Sequence, residues 1–198
     1  AVAVLVPGRG HGEYLLFCRE RDPQMETWTG RRAGTAGAVE SWDADDAFPI
    51  SDIDDILPGL LEQCDRVFCT MGNDPAFDRR VMDWVNRLRQ GGRSGTRTPD
   101  EFVSLEHLLH DMRLYKSRSE VRVMRTAAKV ACQAHRRAMQ ACRPGMYEYE
   151  IEAEFLHGFR SAGMVPAYPS IVGGGENGCI LHYTTNDALL NDGDLLLI

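Results

Sequence analysis

Residues 173–186 read GGGENGCILHYTTN, and how this stretch is parsed decides the fold of the second half of the chain. A P-loop needs GK[ST] running into a helix, and a dinucleotide fingerprint needs GxGxxG between a strand and a helix. Here Gly173, Gly174 and Gly175 are followed by ENG and then by the apolar run CILHYT. Without a helix N-terminus behind the glycines there is no dipole and no row of free N–H groups for a phosphate. The residues read instead as a glycine turn between strands, with YPSIV before it, CILHYT after it and DLLLI as a further strand. Alternation along CILHYT predicts Ile180, His182 and Thr184 on one face and Leu181 and Tyr183 on the other. Two readings of His182 stay open on these residues. It is a histidine hydrogen-bonded in a core, or a site histidine that serves as proton shuttle or electrostatic stabiliser.

Working outward, Ser117 with Glu120 three residues later predicts a capping box at the head of a long helix. Val121, Met124, Ala128, Ala131, Ala138 and Cys142 recur at three- and four-residue spacings along it, a small-residue face suited to close packing. Residues 143–145, Arg-Pro-Gly, end that helix, and a second runs from about Tyr147 to Ser161 before Gly163. Toward the N-terminus, AVAVLV and EYLLFC flank PGRGHG as a hairpin, and RERDPQMETWTGRRAG reads as a polar loop. Residues 51–63 suggest a helix with Ser51 as N-cap, weakened by Pro58 and Gly59. RVFCT reads as a short strand and residues 75–90 as a helix. QGGRSGTRTPD, residues 90–100, has linker composition, and VSLEHLLHDMRLYK reads as a helical bridge into a second unit. Mixed strands and helices, then two helices, then strands, predict α/β followed by α+β.

The 198 residues have an ordinary globular composition, 43% hydrophobic and 26% charged, and carry a net charge of -7. That balance argues against a general nucleic-acid binder, which needs a basic surface. No apolar run approaches the roughly 20 residues of a bilayer helix. Six cysteines without a CxxC pair fit reduced thiols in a cytosolic protein better than a disulfide framework or a zinc site. His107 and His110 share a helical spacing without a third ligand nearby, and Asp52, Asp54 and Asp55 suit the first turn of a helix. GxSxG and HExxH are both absent from the sequence. The chain opens and closes on apolar strand-like runs and lacks an initiator Met, so a fragment cut at both ends is expected.

CRPGMYEYEIEAEF, YPSIVGGGENGCILHYTTN and DGDLLLI together resemble the first half of the catalytic domain of the bacterial Xaa-Pro aminopeptidase (aminopeptidase P) family. MRLYKSRSEV and ETWTGRR resemble that family's interdomain helix and N-terminal domain. The resemblance implies an α/β creatinase-like N-terminal domain over residues 1–113, incomplete at its start and with an open sheet edge, then the first half of an α+β pita-bread catalytic domain over residues 114–198. It also implies removal of an N-terminal residue that precedes proline, with two divalent metals, usually manganese, activating the attacking water. A proline-containing peptide substrate, a dimer or tetramer of like chains and a cytoplasmic location follow from it; nucleic acid and membrane do not. The family's metal ligands are two aspartates, a histidine and two glutamates, the first of them directly after the strand that here reads DLLLI. The resemblance therefore puts every metal ligand beyond Ile198. His182 matches the family histidine beside the metals that contacts substrate, where it could stabilise a tetrahedral intermediate. Tyr168 matches a tyrosine near that pocket. Trp28 matches a tryptophan that in oligomeric members reaches toward a neighbouring subunit's active site, with an ordinary loop anchor as the alternative. The stretch MVPAYPSIVGG is shorter than the family pattern and places Pro169 after Tyr168. A metal-free binding module of the same fold and a prolidase or creatinase relative are the other readings.

Overall fold

The apolar runs at the start of the chain form the expected hairpin: β1 (Val2–Leu5) lies antiparallel to β2 (Tyr14–Cys18), with Val2 opposite Phe17. In β2 alternate residues point inward, and Leu15 and Phe17 are buried. The computed structural model describes residues 1–91, 95 and 97–198, which divide into two units, Ala1–Arg113 and Leu114–Ile198.

The polar stretch after β2 is not a loop. It forms α1 (Pro23–Thr29), and α2 (Gly34–Trp42) begins at its last residue. The Asp22 carboxylate accepts from the N–H groups of Gln24 and Met25, and Pro23 sits in the first turn where its missing N–H costs nothing. Because α1 buries no residue, no apolar period marks it in the sequence. The two helices form the crossover from β2 to β3 (Asp46–Pro49), which pairs parallel to β2 with Leu15 opposite Asp46.

Residues 50–52 make a 3-10 turn and α3 runs from Ile53 to Leu61. Ser51 is not the N-cap; its hydroxyl meets the Asp52 carboxylate at 2.8 Å inside the turn. The helix continues through Pro58 for a specific reason. Proline has no N–H for the carbonyl four residues back, that of Asp54, and Arg87 Nη1 donates to that oxygen at 2.8 Å. β4 (Arg66–Cys69) and β5 (Glu101–Ser104) pair parallel through α4 (Pro75–Gln90), whose predicted limits hold. Asp74 caps α4, and Val81, Trp84, Val85 and Leu88 form its buried stripe. Trp84, Phe17, Ile53, Leu57 and Val81 make the core of this unit.

Part of the expected linker, residues 92–94 and 96, lies outside the described residues. The described end of it stays in the first unit, where Gln63 N–H donates to Arg97 O and Asp100 N–H to Asp65 O. The helical bridge is shorter than expected: Val103 and Ser104 belong to β5, and α5 spans Glu106–Leu114.

In the second unit α6 (Arg118–Ala141) carries the Ser117–Glu120 capping box and packs on α7 (Glu148–Ser161). Their crossing is close: a Cβ on Gly158 would stand 3.2 Å from that of Ala134. Ala134, Ala138, Ile151, Phe155, Val172 and Leu190 form the core. The small-residue face predicted for α6 therefore packs only toward its C-terminal end, and Met124 and Ala128 are exposed. The strand expectations fail further on. YPSIV is irregular, CILHYT is the end of a 3-10 turn (Gly175–Cys179) and the bend after it, and only Leu196–Leu197 of DLLLI is a strand. That pair, β7, runs antiparallel to β6 (Gly173–Gly174).

Candidate functional site

The glycines are a place of close backbone approach as well as a turn. A Cβ on Gly173 would lie 2.9 Å from the backbone C and O of Asn177 and from Gly178 N, and one on Gly174 would lie 2.4 Å from Leu190 Cδ2. Gly175, at φ 53°, then starts the 3-10 turn in left-handed backbone that suits glycine. Gly173→Ala is expected to destabilise the second unit by about 2 kcal/mol, since backbone atoms cannot yield as a flexible side chain would. A lower urea midpoint for this unit checks it.

The folded-back segment rests on Glu148, the first residue of α7, which is fully buried. Its Oε1 accepts from Gly174 N–H at 2.7 Å and Asn177 Nδ2 at 3.1 Å. Its Oε2 accepts from the Tyr183 hydroxyl at 2.7 Å and Ala188 N–H at 3.0 Å. Burial pushes this carboxyl's pKa up, but the Gly174 N–H, the Tyr183 hydroxyl, the Ala188 N–H and the Asn177 amide together hold it below the usual glutamate range. The Tyr183 phenol is correspondingly raised, first by its hydrogen bond to Glu148 and then by burial.

One turn along the same helix, Glu152 Oε2 accepts from Asn186 Nδ2 at 3.2 Å. Asn186 is itself buried at φ 51°; it donates to Ser170 O and accepts from Val172 N–H. These side chains replace the backbone ladder that strands at YPSIV and CILHYT would have made. Glu148 was not singled out in the sequence, because its partners lie 26 to 40 residues away.

His182 stands on the turn that this network holds. Tyr183 N–H closes the turn on Ile180 O at 3.3 Å, with Leu181 and His182 between them. Tyr183 points inward, whereas Ile180, Leu181, His182 and Thr184 are all exposed, so the predicted alternation fails at Leu181. Among the described residues the imidazole has no hydrogen-bond partner, and the core-histidine reading is set aside. Tyr168 is 71% exposed on the irregular segment before β6, and no hydrogen bond or ring contact joins it to His182. Trp28 belongs to the other unit, 85% exposed on α1. Among the described residues no three His, Cys, Asp or Glu side chains gather into a group able to hold a metal ion. The residues present therefore do not fit a metal centre by themselves.

Residues 1–68 match the family profile of the aminopeptidase P N-terminal domain, and residues 122–198 match that of metallopeptidase family M24. Both units of the chain are thus similar to aminopeptidase P. The Xaa-Pro aminopeptidase of Escherichia coli is 42% identical over 200 residues, covering 100% of this chain and 45% of that protein. The structure of Pseudomonas aeruginosa aminopeptidase PepP superposes with a TM-score of 0.91 at 61% identity, over 98% of this chain and 44% of that one. A substituted Escherichia coli aminopeptidase P in complex with substrate superposes with a TM-score of 0.85 at 42% identity, over 92% of this chain and 42% of that one. The chain thus spans less than half the length of these aminopeptidase P relatives. The match to the aminopeptidase P N-terminal domain lies in the first unit and the match to part of an M24 catalytic domain in the second, and no described helix is long and apolar enough to cross a membrane.

Proposed function

We propose that these residues form a portion of a metal-dependent aminopeptidase that removes the first residue of Xaa-Pro peptides. Water adds across the peptide bond, giving a free amino acid and a peptide that begins with proline. The observation that carries this reading is the similarity to Xaa-Pro aminopeptidases along the whole chain, with His182 presented to solvent on an anchored turn. In the proposal the imidazole N–H donates to the substrate's carbonyl oxygen and stabilises the charge that develops there. Tyr168 lines the same pocket, and Trp28 reaches toward a neighbouring copy in a cytoplasmic dimer or tetramer. Two divalent cations, manganese the expected ones, are held by ligands outside the 198 residues, and no role in holding them is assigned to His182.

The test uses the full-length gene product. Mass spectrometry of the metal is expected to find about two manganese ions per chain, in keeping with a paired hydrolytic site. Peptide analysis is expected to show release of the residue ahead of proline from peptides longer than two residues. His182→Ala is expected to lower kcat/KM about 100-fold with metal content unchanged, the usual loss for a donor aimed at a developing oxyanion. A folded, metal-loaded protein that leaves these peptides intact overturns the reading, and one that cuts only Xaa-Pro dipeptides points to a prolidase instead. The 198-residue chain alone is expected to leave every such peptide uncut.

A further inference from the structure

We propose that Glu148 is a positioning residue for His182, clamping both flanks of the turn that carries it. The inference rests on the reading of His182 as a substrate-contacting residue. The two oxygens of the buried carboxylate divide the work. Oε1 takes Asn177, ahead of the turn, and Oε2 takes Tyr183, directly after His182. Asn177 Nδ2 also donates to the Tyr183 hydroxyl at 3.1 Å, which closes a triangle of side chains beneath the turn. The Tyr183 oxygen thus donates once and accepts once, leaving its hydroxyl hydrogen committed to Glu148.

A lone exposed imidazole on a bend has nothing of its own to fix it. Its position is set by the flanks of the bend, and Asn177 ahead of it and Tyr183 after it meet one carboxylate. That carboxylate starts α7, which is packed against α6 along a close crossing, so the reference point is a rigid element. The glycines complete the device. Without side chains, Gly173 lets the 3-10 turn lie back on the strand, and Gly174 brings its N–H to the same Oε1. A displacement near 1 Å at a reacting group costs on the order of 100-fold in rate, so partial loosening of the turn should be visible in kcat.

A purely structural role for Glu148 would lower stability and affect His182-dependent and His182-independent catalysis alike. Tyr183→Phe in the full-length protein separates the two, because it keeps the ring and removes only the hydroxyl, with its tie to Oε2 and the bond it accepts from Asn177. The variant is expected to fold, retain its metal and KM, and lose about 10-fold in kcat, a fraction of what full misplacement would cost. Placed in a His182→Ala background, the same substitution is expected to change kcat by less than about 2-fold, since coupled residues do not add. Hydrogen exchange of the amides of residues 180–185 is expected to quicken selectively, with α6 and α7 unchanged. Equal losses in both backgrounds, or wild-type exchange across 180–185, overturn the clamp. Quickened exchange with unchanged kcat shows that the hydroxyl did hold the turn and instead refutes the substrate role of His182.

Discussion

Replacing Glu148 by alanine is expected to destabilise the second unit by about 4 kcal/mol. Each buried donor left without an acceptor costs about 1–3 kcal/mol, and this substitution strands the N–H groups of Gly174 and Ala188 and the Tyr183 hydroxyl, and takes from the Asn177 amide one of its two acceptors. Two of the four are backbone groups and cannot turn elsewhere. A domain's whole stability is about 5–15 kcal/mol, so much of it would be lost. Hydrogen exchange of α6 and α7 in rising urea reads the effect on this unit alone. The same carboxylate sets an acid dependence whose sign follows from its lowered pKa. A group ionised more readily in the folded state stabilises fully above its unfolded pKa, about 4.3 for glutamate. That contribution is lost as pH falls through the lower folded value. Glu148→Gln should therefore be less stable than wild type at pH 7 and converge on it in acid. A constant gap between the two proteins down to pH 2 would mean that the carboxylate's charge contributes nothing.

Much of the fold could be read where local chemistry decides it. The α4 boundaries follow from an Asp-Pro start and an apolar stripe, and Ser117 with Glu120 declares the head of α6 within four residues. Asp22-Pro23 is the same kind of start signal, yet α1 buries nothing, so no apolar period accompanies it there. The strand reading of CILHYT failed for the opposite reason. Its residues have strand-like apolarity, but the partners that decide its conformation are a glutamate 35 residues before Tyr183 and glycines whose bare backbone admits a 3-10 turn. Side-chain hydrogen bonds over such separations leave no period to detect. His182, Tyr168 and Trp28 stand out in the sequence only by family resemblance. Glu148 and Asn186, which hold the His182 segment, look in sequence like any polar residues of a helix start and a loop.

Trp84→Ala is expected to cost the first unit about 4 kcal/mol, the usual range for deleting a buried aromatic ring. The indole is 1% exposed at the centre of the cluster with Phe17, Ile53, Leu57 and Val81, and Phe77 meets it edge-on at 5.8 Å. Cavity formation there is severe because the rest of the cluster is carried by regular secondary structure, β2 and α3 as well as α4 itself, which closes in only partly. The ring also ties the two helices through a polar contact, since Nε1 donates to Asp54 Oδ1 at 2.7 Å. That bond, then the pairing with Arg80, holds the Asp54 carboxyl below its usual range against the opposing effect of burial. Trp84→Phe separates the two contributions. It keeps most of the packing, and Asp54 Oδ1 still accepts from Arg80 Nε, so no acceptor is stranded and a loss of about 1–2 kcal/mol is expected. Urea unfolding followed by hydrogen exchange of α3 and α4 measures both variants. Fluorescence adds an independent check: of the three tryptophans in these 198 residues Trp28 and Trp42 are exposed, so any blue-shifted contribution from them is expected from Trp84 alone and should vanish in either variant. Alanine and phenylalanine variants of equal stability would assign the loss to the Asp54 hydrogen bond, and a wild-type midpoint in both would move the centre of this core away from the indole.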